Sequence, residues 1–355
     1  GPASGWLSPA ISCAPTAVIS PWWKAVKKEP FSASNYPQPK PLPNHDGLPG
    51  HRQCVNDYGY IPTFSRVPGP PHGLLFRVMI LRTIFLIAML VAVAISAPPA
   101  LAAPKAELWE RWTAHDPQSA QVINHSTWDK FLKAYVSKGP FGVNRVAYGR
   151  VTGGGKESLD GYLRTLVTTP ASVLTRDEQR AFWINLYNAL TVKVVLDHYP
   201  VESIRDIDIS PGLFSDGPWG RKLIRIEGEP LSLDDIEHRI LRPIWRDARI
   251  HYVLNCAAMG CPNLQPTAFT AANTESLLSR GAREFVNHPR GARFEEGRLI
   301  VSSIYEWYKA DFGGTAGGVV AHLKRYAAPD LLAKLEKATT IDDHEYFWDL
   351  NDQAR

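Results

Sequence analysis

The chain has 355 residues, 45% hydrophobic and 21% charged, proportions of an ordinary globular protein that exclude collagen-like, coiled-coil and wholly disordered classes. Lys and Arg number 39 against 35 Asp and Glu, but the surplus sits at the start. Residues 1–78 carry seven basic and three acidic side chains, whereas 103–355 carry 31 and 32, so charge gives no argument for a nucleic-acid partner.

Residues 1–78 hold 14 of the 29 prolines and no methionine, the first being Met79. Runs such as Pro37-Gln38-Pro39-Lys40-Pro41 offer no apolar periodicity to bury, and proline removes the donors a ladder needs. The expectation is a disordered Pro-rich leader lying upstream of the true start. From Met79 the chain shows Arg82, an apolar run over 84–95 and the small-x-small site Ala100-Leu101-Ala102. These are the three parts of a secretory signal peptide over 79–102, with cleavage after Ala102. The apolar run is shorter than the ~18–20 residues of a membrane span, and Pro98-Pro99 closes it. A periplasmic or secreted product with no stable span after cleavage is therefore expected. Cys13 and Cys54 fall in the leader, which leaves Cys256 and Cys261, an even number in an oxidising compartment.

Within 103–355 the patterning predicts amphipathic helices over 105–112 and 125–136, followed by a break at Gly153-Gly154-Gly155. Thr175 with Glu178 three residues on forms a capping box, and the helix it opens is apolar nearly all round before stopping ahead of Pro200. A solvent-facing helix cannot have that composition, so this is the central buried helix. A strand over 222–226 turns at Gly228, and Ser232 caps a second helix over 233–241 that Pro243 ends. A strand over 250–255 breaks into Cys256-Ala-Ala-Met-Gly-Cys-Pro262. There follow a helix over 272–287, a hairpin around Glu295-Glu296-Gly297, a helix opened by Ser302 or Ser303 carrying Trp307 and Tyr308, and helices over 317–326 and 329–337. The sum is a helix-rich α+β single domain over 103–355 with a small, mostly antiparallel sheet.

Five segments resemble the DUF547 family, in the family's order across roughly 155–351: Ala181-Phe-Trp-Ile-Asn-Leu-Tyr-Asn-Ala189, Leu231-Ser-Leu-Asp-Asp-Ile-Glu-His238, Arg249-Ile-His-Tyr-Val-Leu-Asn-Cys256 with Gly260-Cys-Pro262, Trp307-Tyr-x-x-Asp-Phe312, and Trp348-x-Leu-Asn351. Where the family's tail reads Tyr-Asp-Trp-x-Leu-Asn, this chain has Phe347 in the Asp place. The resemblance implies a fold and a candidate site; the family's name records that no activity is established. Related plant proteins place such a domain behind a coiled-coil region, which implies that some members act through partners.

The residue chemistry admits several readings. Cys256 and Cys261 form a disulfide, or Cys256 is a nucleophile with His238 as base, Glu237 orienting it and amides of the 256–260 turn stabilising an oxyanion. His251 is a second candidate base, although strand alternation over 250–255 sends it to the face opposite Cys256. A zinc set from the cysteines with His238, His251 or Glu237 has little support, because C-x4-C is not a usual knuckle spacing. Asn185, Asn188 and Asn255 are candidate ligand-binding amides, though two amides three apart on an apolar helix also suit a structural network. Trp183, Trp219, Trp245, Trp307 and Trp348 read as packing, with a carbohydrate- or peptide-stacking cleft as the competing view. No phosphate loop, serine elbow or HExxH motif calls for a cofactor or metal. The sequence thus favours an envelope binding or scaffold domain with a polar site around Cys256, for a small molecule, a peptide or an envelope protein. A thiol-dependent hydrolase or acyltransferase is the alternative.

Overall fold

A computed structural model describes residues 104–212 and 216–354. The expected Pro-rich leader, signal peptide and cleavage site lie outside the described residues. At the centre is the helix Arg176–His198, buried along most of its length. Thr175 caps it by accepting the Glu178 amide at 3.3 Å, and Asp177 and Glu178 place negative charge in its first turn. The expected box is only half formed, because the Glu178 carboxylate turns away and accepts the Ile123 amide at 3.4 Å. Phe182, Trp183, Ile184 and Leu186 are at most 1% exposed, each worth about 1.5–3 kcal/mol of burial.

Ser126–Tyr135 packs against Gly153–Thr168, which in turn packs against this helix. The second of these starts at the triple glycine read as a break. The reason is close approach: a Cβ on Gly155 would lie 2.7 Å from the Tyr135 hydroxyl, so glycine is what lets the first turn seat there. The helix expected over 105–112 is absent save for one 3-10 turn, Glu110–Thr113.

The other side of the core helix meets the π-helical segment Asp235–Leu241, which runs directly into the α-helical turn Arg242–Trp245. Pro243 therefore does not end the helix; Arg246 does, with φ 49°. The Arg242 amide reaches back to the Glu237 carbonyl, and Pro243 has no N–H. That leaves the next carbonyls open, and the leading segment fills them: Glu107 donates to the His238 carbonyl at 2.9 Å and Trp109 to that of Arg239 at 3.0 Å. This pairing is why residues 107–109 are extended rather than helical.

Residues 250–255 are not a strand. They belong to a 3-10 segment, Ala248–Tyr252, opened by the Asp247 carboxylate accepting the Arg249 amide at 2.9 Å, and the loop that follows it. A short apolar run buried on every side has no periodicity to distinguish strand from helical turn. The helix Thr274–Val286 packs over this segment.

Strand structure is confined to small pieces. Val136–Lys138 pairs with Asn144–Val146 and Ile224–Ile226 with Glu229–Leu231, both antiparallel. The hairpin Ala292–Glu295 and Arg298–Ser302 is joined in parallel by Asp343–Glu345. The short helices Ile304–Trp307, Ala316–Lys324 and Pro329–Leu335 gather around a second apolar cluster that includes Tyr252, Phe285, Tyr305 and Phe312.

The tail then ties separate segments together. Asn351 donates its amide to Ala257 and accepts that of Val146, both at 2.9 Å, while Asp349 and Phe347 accept the amides of Met259 (2.7 Å) and Gly260 (2.8 Å). Among the described residues no helix is long and apolar enough to cross a membrane.

Candidate functional site

A cavity of about 530 Å³ opens where the π-helical segment, the 256–261 loop and the tail converge. The π-helical segment contributes Glu237 and His238, both less than 8% exposed. The 3-10 segment contributes His251, the loop Cys256 and Cys261, and the later elements Trp307, Tyr308, Tyr346 and Trp348.

His251 lies between two carboxylates. Its Nε2 is 2.7 Å from Asp311 Oδ2 and its Nδ1 is 3.5 Å from Glu237 Oε1, while the Tyr308 ring stacks on it at 4.2 Å. Burial pushes the imidazole toward neutrality, but the hydrogen bonds to Asp311 and Glu237 and their charges win and hold its pKa above the usual value. Burial likewise works against the Glu237 carboxylate, yet His238, His251 and Arg242 bring it down to about 2. Asp311, also bonded to Arg242 Nε at 2.6 Å, is held well below the ordinary carboxylate range. Tyr187 in the core helix faces the same group, and burial with the charge of Glu237 keeps its hydroxyl protonated.

His238 is oriented differently. Its Nδ1 is 3.0 Å from Arg242 Nη1, which is a donor, so in this contact Nδ1 accepts and the ring proton sits at Nε2. Nε2 lies 3.5 Å from Asp234 Oδ1. Arg242 also donates to the Pro104 carbonyl at 2.7 Å and stacks over Tyr308, which fixes the start of the described chain beside the cavity.

Aromatic rings form a continuous cluster along the cavity. Trp307 and Trp348 are stacked 5.7 Å apart, Tyr346 is 4.7 Å from each, and Trp219 meets Trp348 edge-on at 5.8 Å. Trp183 is fully in the core, and Trp245 carries Arg176 over its ring away from the cavity.

Cys256 and Cys261 are joined as a disulfide, so neither sulfur is a free thiol or a metal ligand in this state. Their surroundings are polar. The Cys256 amide donates to Cys261 Sγ at 2.9 Å, and the Tyr346 hydroxyl is 3.0 Å from one sulfur and 3.1 Å from the other. Among the described residues no group of three or more His, Cys, Asp or Glu is placed to hold a metal.

The three asparagines form a network behind the loop and do not line the cavity. Asn185 exchanges two hydrogen bonds with the Phe269 backbone, at 2.8 and 3.0 Å. Asn188 donates to the Val253 carbonyl and accepts the Asn255 amide, both at 2.9 Å. Asn255 in turn bonds both ends of the loop, accepting from the Ala257 amide at 3.0 Å and donating to the Pro262 carbonyl at 2.8 Å. The structural reading of these amides thus accounts for every contact they make.

The structure brings Glu237, His238, His251, Cys256 and Cys261 to one cavity. The opposite-face placement of His251 fails because the strand on which it rested is not formed. Sequence reasoning missed Arg242, Asp311, Tyr308 and Tyr346 as partners. A signal existed for three of them: Tyr308 and Asp311 sit in a motif already singled out, and Arg242 is one helical turn beyond His238.

Residues 171–286 match the family model described as "Protein of unknown function, DUF547". The match contains the core helix, both histidines, Glu237 and both cysteines, and it stops before the aromatic cluster of the tail. No curated protein and no solved structure matches the chain. Residues 171–286 are thus similar to the DUF547 family, the grouping the separate sequence motifs also resemble.

Proposed function

We propose that this protein is a ligand-binding domain of the cell envelope, periplasmic or secreted, which takes a small molecule or short peptide into the cavity beside Glu237, His238 and His251. One observation carries the reading: a single cavity presents a run of aromatic rings together with buried, oriented hydrogen-bonding groups. Rings supply contact area at low entropic cost, and a few fixed polar groups supply orientation. Arg242 and His251 are offset by Asp311 and Glu237, and among the described residues Asp234 has only His238 as its ionic partner. A neutral or weakly cationic ligand with donors for these carboxylates suits that balance.

Acyl transfer by Cys256 has less support. Its sulfur is bonded to Cys261, and the lone pair His238 would use as a base is turned to Arg242. The test is a titration with short saccharides and with di- to pentapeptides, read by calorimetry and tryptophan fluorescence. Binding by at least one class is expected, with affinity lost about tenfold or more in Trp307→Ala and unchanged in Trp245→Ala. Absence of binding by both classes, or indifference to Trp307→Ala, overturns the reading. Export is tested by sequencing the N-terminus of protein recovered from a periplasmic fraction, where a start at Ala103 is expected and one at Met79 counts against it.

A further inference from the structure

We propose that Cys256–Cys261 is an exchange-active disulfide, attacked at Cys256 by a small-molecule thiol that enters the aromatic cavity, with Cys261 leaving as the thiolate. This goes beyond the binding reading and does not depend on which ligand the cavity holds. Three observations converge on it.

The two sulfurs are unequal. Both line the cavity, but Cys256 is partly exposed whereas Cys261 is 2% exposed. Cys261 Sγ accepts the Cys256 amide at 2.9 Å, the contact that distinguishes it, while the Tyr346 hydroxyl is shared by both sulfurs at 3.0 and 3.1 Å. Donors aimed at a sulfur stabilise negative charge on it, which makes it the better leaving group.

A buried cation stands behind the loop. Arg290 is 5% exposed, and its guanidinium donates to the Met259 carbonyl inside the loop at 2.8 Å and to Asn263 Oδ1 at 2.6 Å. Among the described residues no carboxylate lies within ion-pair distance of it, Glu284 acts on it only through longer-range charge, and its Nε has no hydrogen-bond partner. Its charge reaches Tyr346, whose hydroxyl touches both sulfurs. A buried cation with no bonded carboxylate, held on the loop that the disulfide closes, is a setting in which a thiolate is favoured.

The loop does not need the cross-link to hold its shape. Asn255 bonds both ends of it, Met259 and Gly260 pair with the tail, and Asn351 fixes Ala257. Ala257, at φ 61°, is kept in the left-handed region by these bonds. A bridge spanning five residues closes a short loop, the case in which a cross-link restrains the unfolded chain least.

The step balances as exchange. A thiolate RS⁻ bonds to Cys256 Sγ, the Cys256–Cys261 bond breaks, and its electron pair leaves on Cys261 as thiolate. A second RS⁻ attacks the sulfur of the first thiol, releasing RSSR and the Cys256 thiolate, so two thiols are oxidised and one protein disulfide is reduced.

The experiment incubates the full chain with glutathione under native conditions, quenches with acid and an alkylating reagent, and maps the modified peptides. Mapping separates the pair from Cys13 and Cys54. A glutathione adduct on Cys256 with the alkyl group on Cys261, in protein whose circular dichroism is unchanged, is expected. Tyr346→Phe is expected to slow formation of the adduct about fivefold, the effect of one lost hydrogen bond. An adduct on Cys261 instead, a bond that resists glutathione until the chain unfolds, or loss of fold on reduction would each overturn the proposal. So would an unchanged rate in a folded Tyr346→Phe variant.

Discussion

His251 and Asp311, 60 residues apart in sequence, meet at 2.7 Å through Nε2 and Oδ2, and this contact joins two recesses of the site region. His251 lines the aromatic cavity, whereas Asp311 also lines a second cavity of about 430 Å³ edged by Arg246, Arg249 and Arg325. With Glu237 on the other nitrogen, the imidazole is fixed in orientation and biased toward its charged form, which suits it to a positioning role more than to that of a base.

Removing the charge on Glu237 tests that arrangement. Glu237→Gln breaks a buried ionic group and is expected to cost about 3–5 kcal/mol of unfolding free energy in urea titrations. In the folded variant the titration midpoint of the His251 ring, followed by NMR, moves downward, because one of the two carboxylates raising it is gone. A midpoint that stays in place would assign the whole effect to Asp311.

Acid should destabilise the fold earlier than its carboxylates alone would. Burial, the leading cause for each, lowers His125, His288 and His322 to about 4, against about 6.5 in an unfolded chain. Between those values the unfolded state binds more protons, so stability rises with pH there and is lost as pH falls. His251 acts in the opposite sense, contributing fully below about 6.5 and less as pH climbs through its raised value. Glu237, at about 2, contributes fully above about 4.3 and loses its share only as pH falls toward 2. Three histidines against one set the sign: denaturant unfolding at pH 5 should give a lower free energy than at pH 6.5. His125→Gln should narrow the gap, and equal values at both pH values would contradict the assignment.

Asn255 is the joint of the loop. Asn255→Ala leaves the Ala257 amide and the Pro262 carbonyl without their partners and removes the acceptor of Asn351 Nδ2. Orphaned buried groups cost roughly 1–3 kcal/mol each, so a loss of about 3 kcal/mol or more is expected in chemical denaturation. A loss below about 1 kcal/mol would show that water replaces the side chain.

Gly260 sets the distance between loop and tail. A Cβ there would lie 2.8 Å from the Phe347 amide nitrogen and 3.0 Å from Tyr346 Cγ, so backbone must move. Gly260→Ala is expected to cost about 1–3 kcal/mol and to change tryptophan emission, since the displaced tail carries Tyr346 and Trp348. Unaltered emission with wild-type stability would rule out that coupling.

The hairpin offers a change in the other direction. Glu296 is exposed at φ 52° ahead of Gly297 at φ 82°, a geometry that prefers Asn-Gly. Glu296→Asn should stabilise the protein by about 0.5–1 kcal/mol, seen as a higher Tm, because Asn tolerates the left-handed region. A lower Tm would mean that the Glu296 side chain has a role its exposure does not suggest.

What the sequence alone determined is what short-range physics controls. The Thr175 cap, the all-round apolar helix behind it and the Glu296-Gly297 turn each depend on neighbours in the chain, whereas the choice between a disulfide and a free Cys256 stayed open until the fold joined the two sulfurs. Glu237, His238 and His251, which line one cavity, were legible as candidates because their types stand out in an apolar setting. Three elements were misread where tertiary partners overrode local preference: residues 107–109 are extended because they pair with the open carbonyls of the π-helical segment, Pro243 lies inside the helix whose carbonyls they fill, and residues 250–255, buried on every side, form a 3-10 segment and loop where a strand was expected. Only the folded chain decided which groups meet. Asp311 reaches His251 across 60 residues and Tyr346 reaches Cys256 across 90, and no spacing rule links positions so far apart. Those contacts follow from burying two apolar clusters at once and from a tail that donates and accepts backbone hydrogen bonds with several segments, a global condition that no local pattern encodes.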